Sequence, residues 1–374
     1  MMQQVVLSGS GLWTPPHSIS NEELIGSYNE YADYFNQENK AEIEAGTLEA
    51  MPHSSAPFVE KASGIKSRYI YSKEGVLDIH RMRPLLPERA DDELSLQAEI
   101  AVKAAKKALA AANKQASDID AVIVSCAYTQ RSYPAIAIEV QEELGIKGFG
   151  FDMLVACSAA TFGMHRAYEM VAAGTAKAVL VINPELVSPQ INYKDRDSHF
   201  IFGDVATATV LETAETVTSD NAYNILSTKA LTKFSNTIRS NFGYMSHATD
   251  ADPYGPDKLF HQEGRKVFKE VCPLAAQHIT EHLAKHELVP ENLRRWWLHQ
   301  ANINMNTLIS KRLLGREANL DEAPVVLDRY ANTASAGSVI AFNLYNEDLV
   351  AGDYGILCSF GAGYSIGSLL LQKR

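Results

Sequence analysis

The sequence predicts an α/β fold in which a sheet with helices on both faces is laid down twice. Three observations carry this expectation. Apolar strand-like runs alternate with helical stripes along most of the chain. Matching landmarks recur about 175 residues apart: Ala-Gly pairs end helices at Gly174 and Gly352, and strands end at Cys126 and His299. Small-residue turns stand just beyond several strand ends, where a side chain or a bare N–H can be presented.

Taken in order, Val5–Leu12 reads as a strand entering a glycine turn. Ser20 and Glu23 make a capping box, with Ile19 and Leu24 placed as a staple, and open a helix rich in Tyr28, Tyr31, Tyr34 and Phe35. The stretches near 28–57 and 74–95 read as insertions, polar and broken by Pro52, Pro57, Pro84 and Pro87. Leu96, Ile100, Ala104, Ala108 and Leu109 form a helical stripe, and 120–126 is a buried strand. Pro134 is placed to start the next helix. Met153–Ala156 ends a strand at Cys157, and Ala160, Met164, Ala167 and Val171 face one side of the helix beyond it. Strands at Ala178–Ile182 and Ala206–Leu211 follow. The alternation calls for a mainly parallel sheet. The second copy has strands at Arg295–Leu298, Val325–Leu327 and Gly355–Cys358, with the small-residue turn 332–337 between the last two. The boundary expected between halves divides 1–215 from 216–374.

Composition narrows the function. Of 374 residues 46% are hydrophobic, enough for a large core. Thirty-four basic against forty-five acidic residues give a net charge of −11, which argues against nucleic acid as a general partner. The four cysteines lack metal-ligand or disulfide-framework spacing. Neither a secretory leader nor a membrane-spanning run is read, so a cytoplasmic protein is expected.

Cys157, at a strand-to-helix junction, is expected as a thiolate favoured by unpaired helix N–H groups, with Ser158, Ala159 and Ala160 leaving room for a large reactant. If the halves face each other across a pseudo-twofold, Cys157, His299, Asn332 and the Gly361-Ala-Gly363 bend converge. A thiol, an imidazole, a carboxamide and bare backbone donors are the parts of acyl transfer through a thioester. Each alone has a structural explanation: a buried cysteine, a core histidine, a turn former. The order Cys, His, Asn also suits a papain-like peptidase, but the block of residues expected around such a cysteine is missing here.

Ala156-Cys157, Ile201-Phe-Gly-Asp204, His299-Gln-Ala-Asn302, 327–333 with Asn332-Thr333, and 360–367 together resemble the β-ketoacyl-acyl-carrier-protein synthase III family of the thiolase superfamily. The resemblance implies a duplicated five-layer αβαβα fold with two mixed sheets around buried helices, usually a homodimer, and no metal or redox cofactor. It implies that Cys157 takes an acyl group from acyl-CoA, that the N–H groups of Cys157 and Ala362 form the oxyanion hole, and that His299 and Asn332 hydrogen-bond malonyl-acyl-carrier protein during decarboxylative condensation in fatty acid synthesis. Phe58, Tyr133, Phe202, Gly361 and Gly363 would line the substrate path, with Tyr133 reaching a neighbouring subunit. Acetyl-primed members carry a Trp and an Arg for CoA where this chain has Phe58 and Ala62, and a docking Arg where it has Asn304. Carrier docking would then fall to Arg265, Lys266, Lys269, Lys311 and Arg312. The insertions and the 157–163 stretch resemble the β-ketodecanoyl synthases, which implies octanoyl-CoA as primer. Alternatives are an acetyl- or other acyl-CoA-primed condensing enzyme, and an acyltransferase or hydrolase that never condenses.

Overall fold

The computed structural model describes residues 3–374. Its first half contains β1 (Val5–Trp13), the short pair β2 (His17–Ser20) and β3 (Ser67–Ile70), and helices α1 (Asn21–Glu38), α2 (Lys40–Glu44) and α3 (Ala56–Ser63). Then come α4 (Leu96–Ala112), β4 (Ala121–Cys126), α5 (Ile136–Leu144), β5 (Phe149–Leu154), α6 (Ala159–Ala172), β6 (Ala178–Glu185) and β7 (Val205–Thr213). The second half holds β8 (Tyr223–Ser235), the small pair β9 (Ile238–Arg239) and β10 (His261–Gln262), α7 (Gly264–Ala284), β11 (Leu293–Leu298) and α8 (Ile303–Leu314). It closes with α9 (Leu327–Tyr330), α10 (Gly337–Leu344), β12 (Tyr354–Gly361) and β13 (Gly363–Lys373).

Nine strands pair in the order β11-β12-β13-β8-β1-β7-β6-β4-β5. Outward from the centre, β1-β7-β6-β4 and β8-β13-β12-β11 repeat one pattern, two antiparallel steps and then a parallel one. Such a repeat supports the reading of two related halves. The two mixed sheets run on into each other where Val6 and Leu7 pair with Asn224 and Tyr223. Five of the eight pairings are antiparallel, so the expected mainly parallel sheet is corrected to a mixed one. Strands buried on both faces carry unbroken apolar runs whichever way they point, so direction leaves no trace in composition.

Alternation along each strand sorts the layers. Ile123 and Val181 face the centre, with Ala160 and Met164 of α6, Val339 and Ile340 of α10, and Leu357 and Leu369 of the second half. Val122, Val124 and Leu180 face outward onto α4 and α5, and Ile356 and Leu370 face α7 and α8. The result is five layers, with α6 and α10 in the middle.

Local expectations fare unevenly. The Ser20–Glu23 capping box forms in both directions, at 3.1 and 3.0 Å, over buried Ile19 and Leu24. The glycines of the first strand do not turn the chain. A Cβ on Gly9 or Gly11 would stand 2.6 or 2.3 Å from carbonyl oxygens of α4, so they let that helix lie directly on β1. Pro134 precedes α5 rather than starting it, since Ala135 is the cap. Val325–Leu327 is no strand; Val326 N–H is held by the Gln300 side chain at 3.0 Å, and α9 begins at Leu327. No helix among the described residues is long and apolar enough to cross a membrane.

Candidate active site

Cys157 lies in a single 3₁₀ turn, Ala156–Ser158, between β5 and α6. Ala156 has φ +44°, Ala331 before Asn332 has φ +54°, and Ala334 after it has φ +48°. Left-handed backbone at three non-glycine residues flanking two candidate groups is local strain held by the surrounding fold. The turn is tied to the C-terminal bend: Ser158 Oγ donates to the Ser365 carbonyl at 2.8 Å, and Ser365 Oγ donates to the Ala362 carbonyl at 2.8 Å.

Gly361 presses on the sulfur-bearing side chain. A Cβ there would sit 2.4 Å from Cys157 Cβ and 3.1 Å from Sγ. The backbone N–H groups of Ala362 and of Cys157 itself lower the cost of charge on the sulfur. Backbone donors of this kind favour negative charge. Burial and the Glu185 carboxylate outweigh them, and together they push the Cys157 thiol up to about 12. The expected resting thiolate is therefore corrected to a thiol. Desolvation by a turn packed between halves costs the charged form more than the helix end returns.

His299 follows β11, where Leu298 pairs with Cys358. Its N–H donates to the Cys358 carbonyl at 2.9 Å, and its ring stands edge-on to Phe360 at 5.2 Å. Burial lowers its pKa to about 4, so the imidazole is neutral at ordinary pH. Nδ1 has no hydrogen-bond partner among the described residues. Asn332 is held three ways. Its N–H donates to the Ile201 carbonyl (2.9 Å), its own carbonyl accepts from Gly203 N–H (3.1 Å), and Oδ1 accepts from Ala334 N–H (3.0 Å). With Oδ1 fixed, the amide nitrogen is left as a donor. The Ala156–Ser158 turn packs on 334–336 and on β12, which gathers the cysteine, the asparagine turn and the glycine bend. Phe360 then links that bend to His299.

Cys157 packs, with Phe58 and Phe260, against an apolar cluster that includes Phe200, Phe202 and Leu327. Phe58 lies edge-on to Phe200 at 6.5 Å, with the Arg196 guanidinium 4.4 Å over its ring. Phe202 bridges to Asn332 and stands 4.7 Å from Phe260. Gly363, φ +127°, opens β13 beside Ser235. Asn302 and Asn304 both donate to the Ala62 carbonyl, at 2.9 and 3.4 Å, which ties the start of α8 to α3. Tyr133, by contrast, is 81% exposed and is not brought to Cys157 within the chain. Arg265, Lys266 and Lys269 on α7 and Lys311 and Arg312 on α8 are exposed on packed neighbouring helices.

Two residues escape sequence reasoning. Gln300 Nε2 donates to the Leu298 and Pro324 carbonyls (2.9 and 3.3 Å), locking the His299 strand end to the segment leading to Asn332. Glu185, fully buried at the end of β6, accepts from the backbone of Ala127 and Ser335. An acid closing an apolar strand was the available signal for it.

The architecture is that of the thiolase-like proteins. The crystal structure of 3-oxoacyl-[acyl-carrier-protein] synthase III from Aquifex aeolicus superposes with a TM-score of 0.75, at 22% identity, covering 98% of this chain and 99% of that one. Family models for 3-oxoacyl-[acyl-carrier-protein (ACP)] synthase III and its C-terminal part match residues 151–233 and 283–373. A β-ketodecanoyl-[acyl-carrier-protein] synthase from Pseudomonas aeruginosa is 54% identical over 348 residues, 93% of this chain and 99% of that protein. A β-ketoacyl-[acyl-carrier-protein] synthase III from Granulibacter bethesdensis is 28% identical over 99% of this chain and 100% of its own length. The chain belongs to the β-ketoacyl-[acyl-carrier-protein] synthase III family, condensing acyltransferases of fatty acid synthesis.

Proposed function

We propose that this enzyme condenses a medium-chain acyl-CoA, octanoyl-CoA, with malonyl-acyl-carrier protein to give β-ketodecanoyl-acyl-carrier protein, through an acyl-Cys157 intermediate. The observation that carries the reading is the packing of the Cys157 turn against both the asparagine turn and the glycine bend, where a Cβ on Gly361 would sit 2.4 Å from Cys157 Cβ. In the first half-reaction Sγ bonds to the acyl carbonyl carbon, the bond to CoA sulfur breaks, and the thiol proton leaves with CoA. The N–H groups of Cys157 and Ala362 hold the oxyanion between those events.

In the second half-reaction malonyl thioester loses CO₂, and charge develops on its carbonyl oxygen. Neutral donors serve that oxygen: His299, which burial keeps uncharged, and the amide nitrogen of Asn332. The enolate carbon attacks the acyl carbonyl, the bond to Cys157 Sγ breaks as the β-ketoacyl product forms, and the departing sulfur takes a proton from water to restore the thiol.

Primer length rests on the apolar cluster around Cys157 and on the 54% identical relative named for a β-ketodecanoyl product. At about 0.8 kcal/mol per buried methylene, the six additional methylenes of octanoyl over acetyl are worth several kcal/mol. The test is condensation with malonyl-acyl-carrier protein across a series from acetyl- to dodecanoyl-CoA. The expected kcat/KM peaks at octanoyl; a peak at acetyl contradicts the primer assignment.

Charge and exposure support two partners. Arg265, Lys269 and Arg312 make no ion pair among the described residues, whereas Lys266 and Lys311 meet Glu263 and Glu317 at 3.8 and 2.7 Å. This face is the one we assign to the acidic carrier protein. β5 is a free sheet edge, with Phe149 and Leu154 43% and 55% exposed, and a second copy would cover it. Tyr133 would then serve the neighbour's substrate path. A cytoplasmic setting fits these substrates.

A further inference from the structure

Glu185 is a buried carboxyl with no cation. No Lys, Arg or His nitrogen lies within ion-pair distance of it among the described residues, and it is completely inaccessible. It is held instead by neutral donors from two other segments. The N–H of Ala127, one residue past β4, reaches both carboxyl oxygens at 3.2 Å. Ser335, in the turn that follows Asn332, donates its N–H to Oε1 at 3.2 Å and its hydroxyl to the same oxygen. One side chain thus ties the ends of β6 and β4 to the asparagine turn, against which the Cys157 turn packs.

A buried carboxylate held only by dipoles costs several kcal/mol more than a hydrogen-bonded neutral group would, so a purely architectural tie would be better made by Gln. Its charge opposes ionisation of Cys157, of Cys126 on β4 and of Tyr128 in the loop after it. Only Cys157 among them belongs to the reacting set.

We propose that Glu185 is a positioning residue for Cys157: as a buried anion it clamps the asparagine turn, on which the Cys157 turn packs, to the ends of β4 and β6. Its charge in turn opposes loss of the Cys157 proton. The inference rests on the reading of Cys157 as nucleophile. Burial raises the Glu185 carboxyl to about 7, within the working pH range, so the restraint weakens as the carboxyl gains its proton. A resting thiol is protected from oxidation and from alkylation by stray electrophiles, which attack thiolate.

The test is the pH profile of Cys157 alkylation by iodoacetamide in the full chain, followed by peptide mass, in wild type and Glu185→Gln. Gln keeps an acceptor for Ala127 and Ser335 but removes the charge. The expected result is a profile moved to lower pH, with Cys157 alkylated severalfold faster at mildly alkaline pH. An unchanged profile in a folded Glu185→Gln protein overturns the proposal, because a role limited to hydrogen bonding would leave it unmoved. Should Glu185→Gln not fold, Ser335→Ala answers the same question. Loss of the hydroxyl that favours the charged carboxyl is expected to speed alkylation near neutral pH, and no change there is equally fatal. Alkylation needs no acyl substrate, so these outcomes are independent of whether the condensation itself is correctly assigned.

Discussion

Replacing His299 or Asn332 by Ala is expected to cut condensation roughly a hundred- to a thousandfold while leaving acylation of Cys157 by acyl-CoA largely intact. The split follows from where the donors stand. In the proposed mechanism acylation uses the backbone N–H groups of Cys157 and Ala362, which neither substitution removes. Decarboxylation would put charge on a different oxygen, the one we assign to the neutral His299 imidazole and the fixed Asn332 carboxamide. The two substitutions should not add, since both donors address one developing charge. Acyl-enzyme formation is read by intact mass and condensation by product, on the same preparations. Equal loss of both half-reactions would place the two side chains in acylation and contradict this division of labour.

Gly361→Ala is expected to have the other large effect, through shape alone. The added Cβ would fall 2.4 Å from Cys157 Cβ, a separation real side chains do not tolerate, so either the turn or β12 must move. Overpacking of this kind costs about 1–3 kcal/mol of stability. Its effect on rate should exceed that, because displacing a reacting atom by an ångström costs about a hundredfold. Acylation by octanoyl-CoA, compared with the melting temperature, checks it: a folded protein with slow acylation is expected, and wild-type acylation would mean that the contact does not place the sulfur.

Much of this was legible in the sequence, and the reasons are local. Cys157 and His299 stand where apolar runs stop and small residues begin, a change of pattern that marks a strand end whatever the sheet does, whereas Asn332 follows the short helix α9. The capping box at Ser20 is legible because both partners lie within one turn. What failed depended on distant residues. Strand direction was hidden by the continuous burial of β7, β12 and most of β13. The stretch at Val325 has the composition of a strand, but Gln300 takes its N–H in place of a neighbouring strand. The thiolate expectation considered only the helix that follows Cys157. Gly361 and Glu185, which enclose and oppose the sulfur, come from other parts of the chain. Tyr133 lies on the surface of a single chain, so its proposed role requires a second copy.

The central claim is that Cys157 carries the acyl group between CoA and the growing product. Its most direct measurement is a chase: load the enzyme with octanoyl-CoA, remove excess, add malonyl-acyl-carrier protein, and follow the mass of the Cys157 peptide together with released CO₂. The account predicts an octanoyl adduct on Cys157 that disappears as CO₂ and β-ketoacyl product appear in equal amounts, and no product from Cys157→Ala. Product formed while Cys157 stays unmodified, or formed by Cys157→Ala, would contradict it.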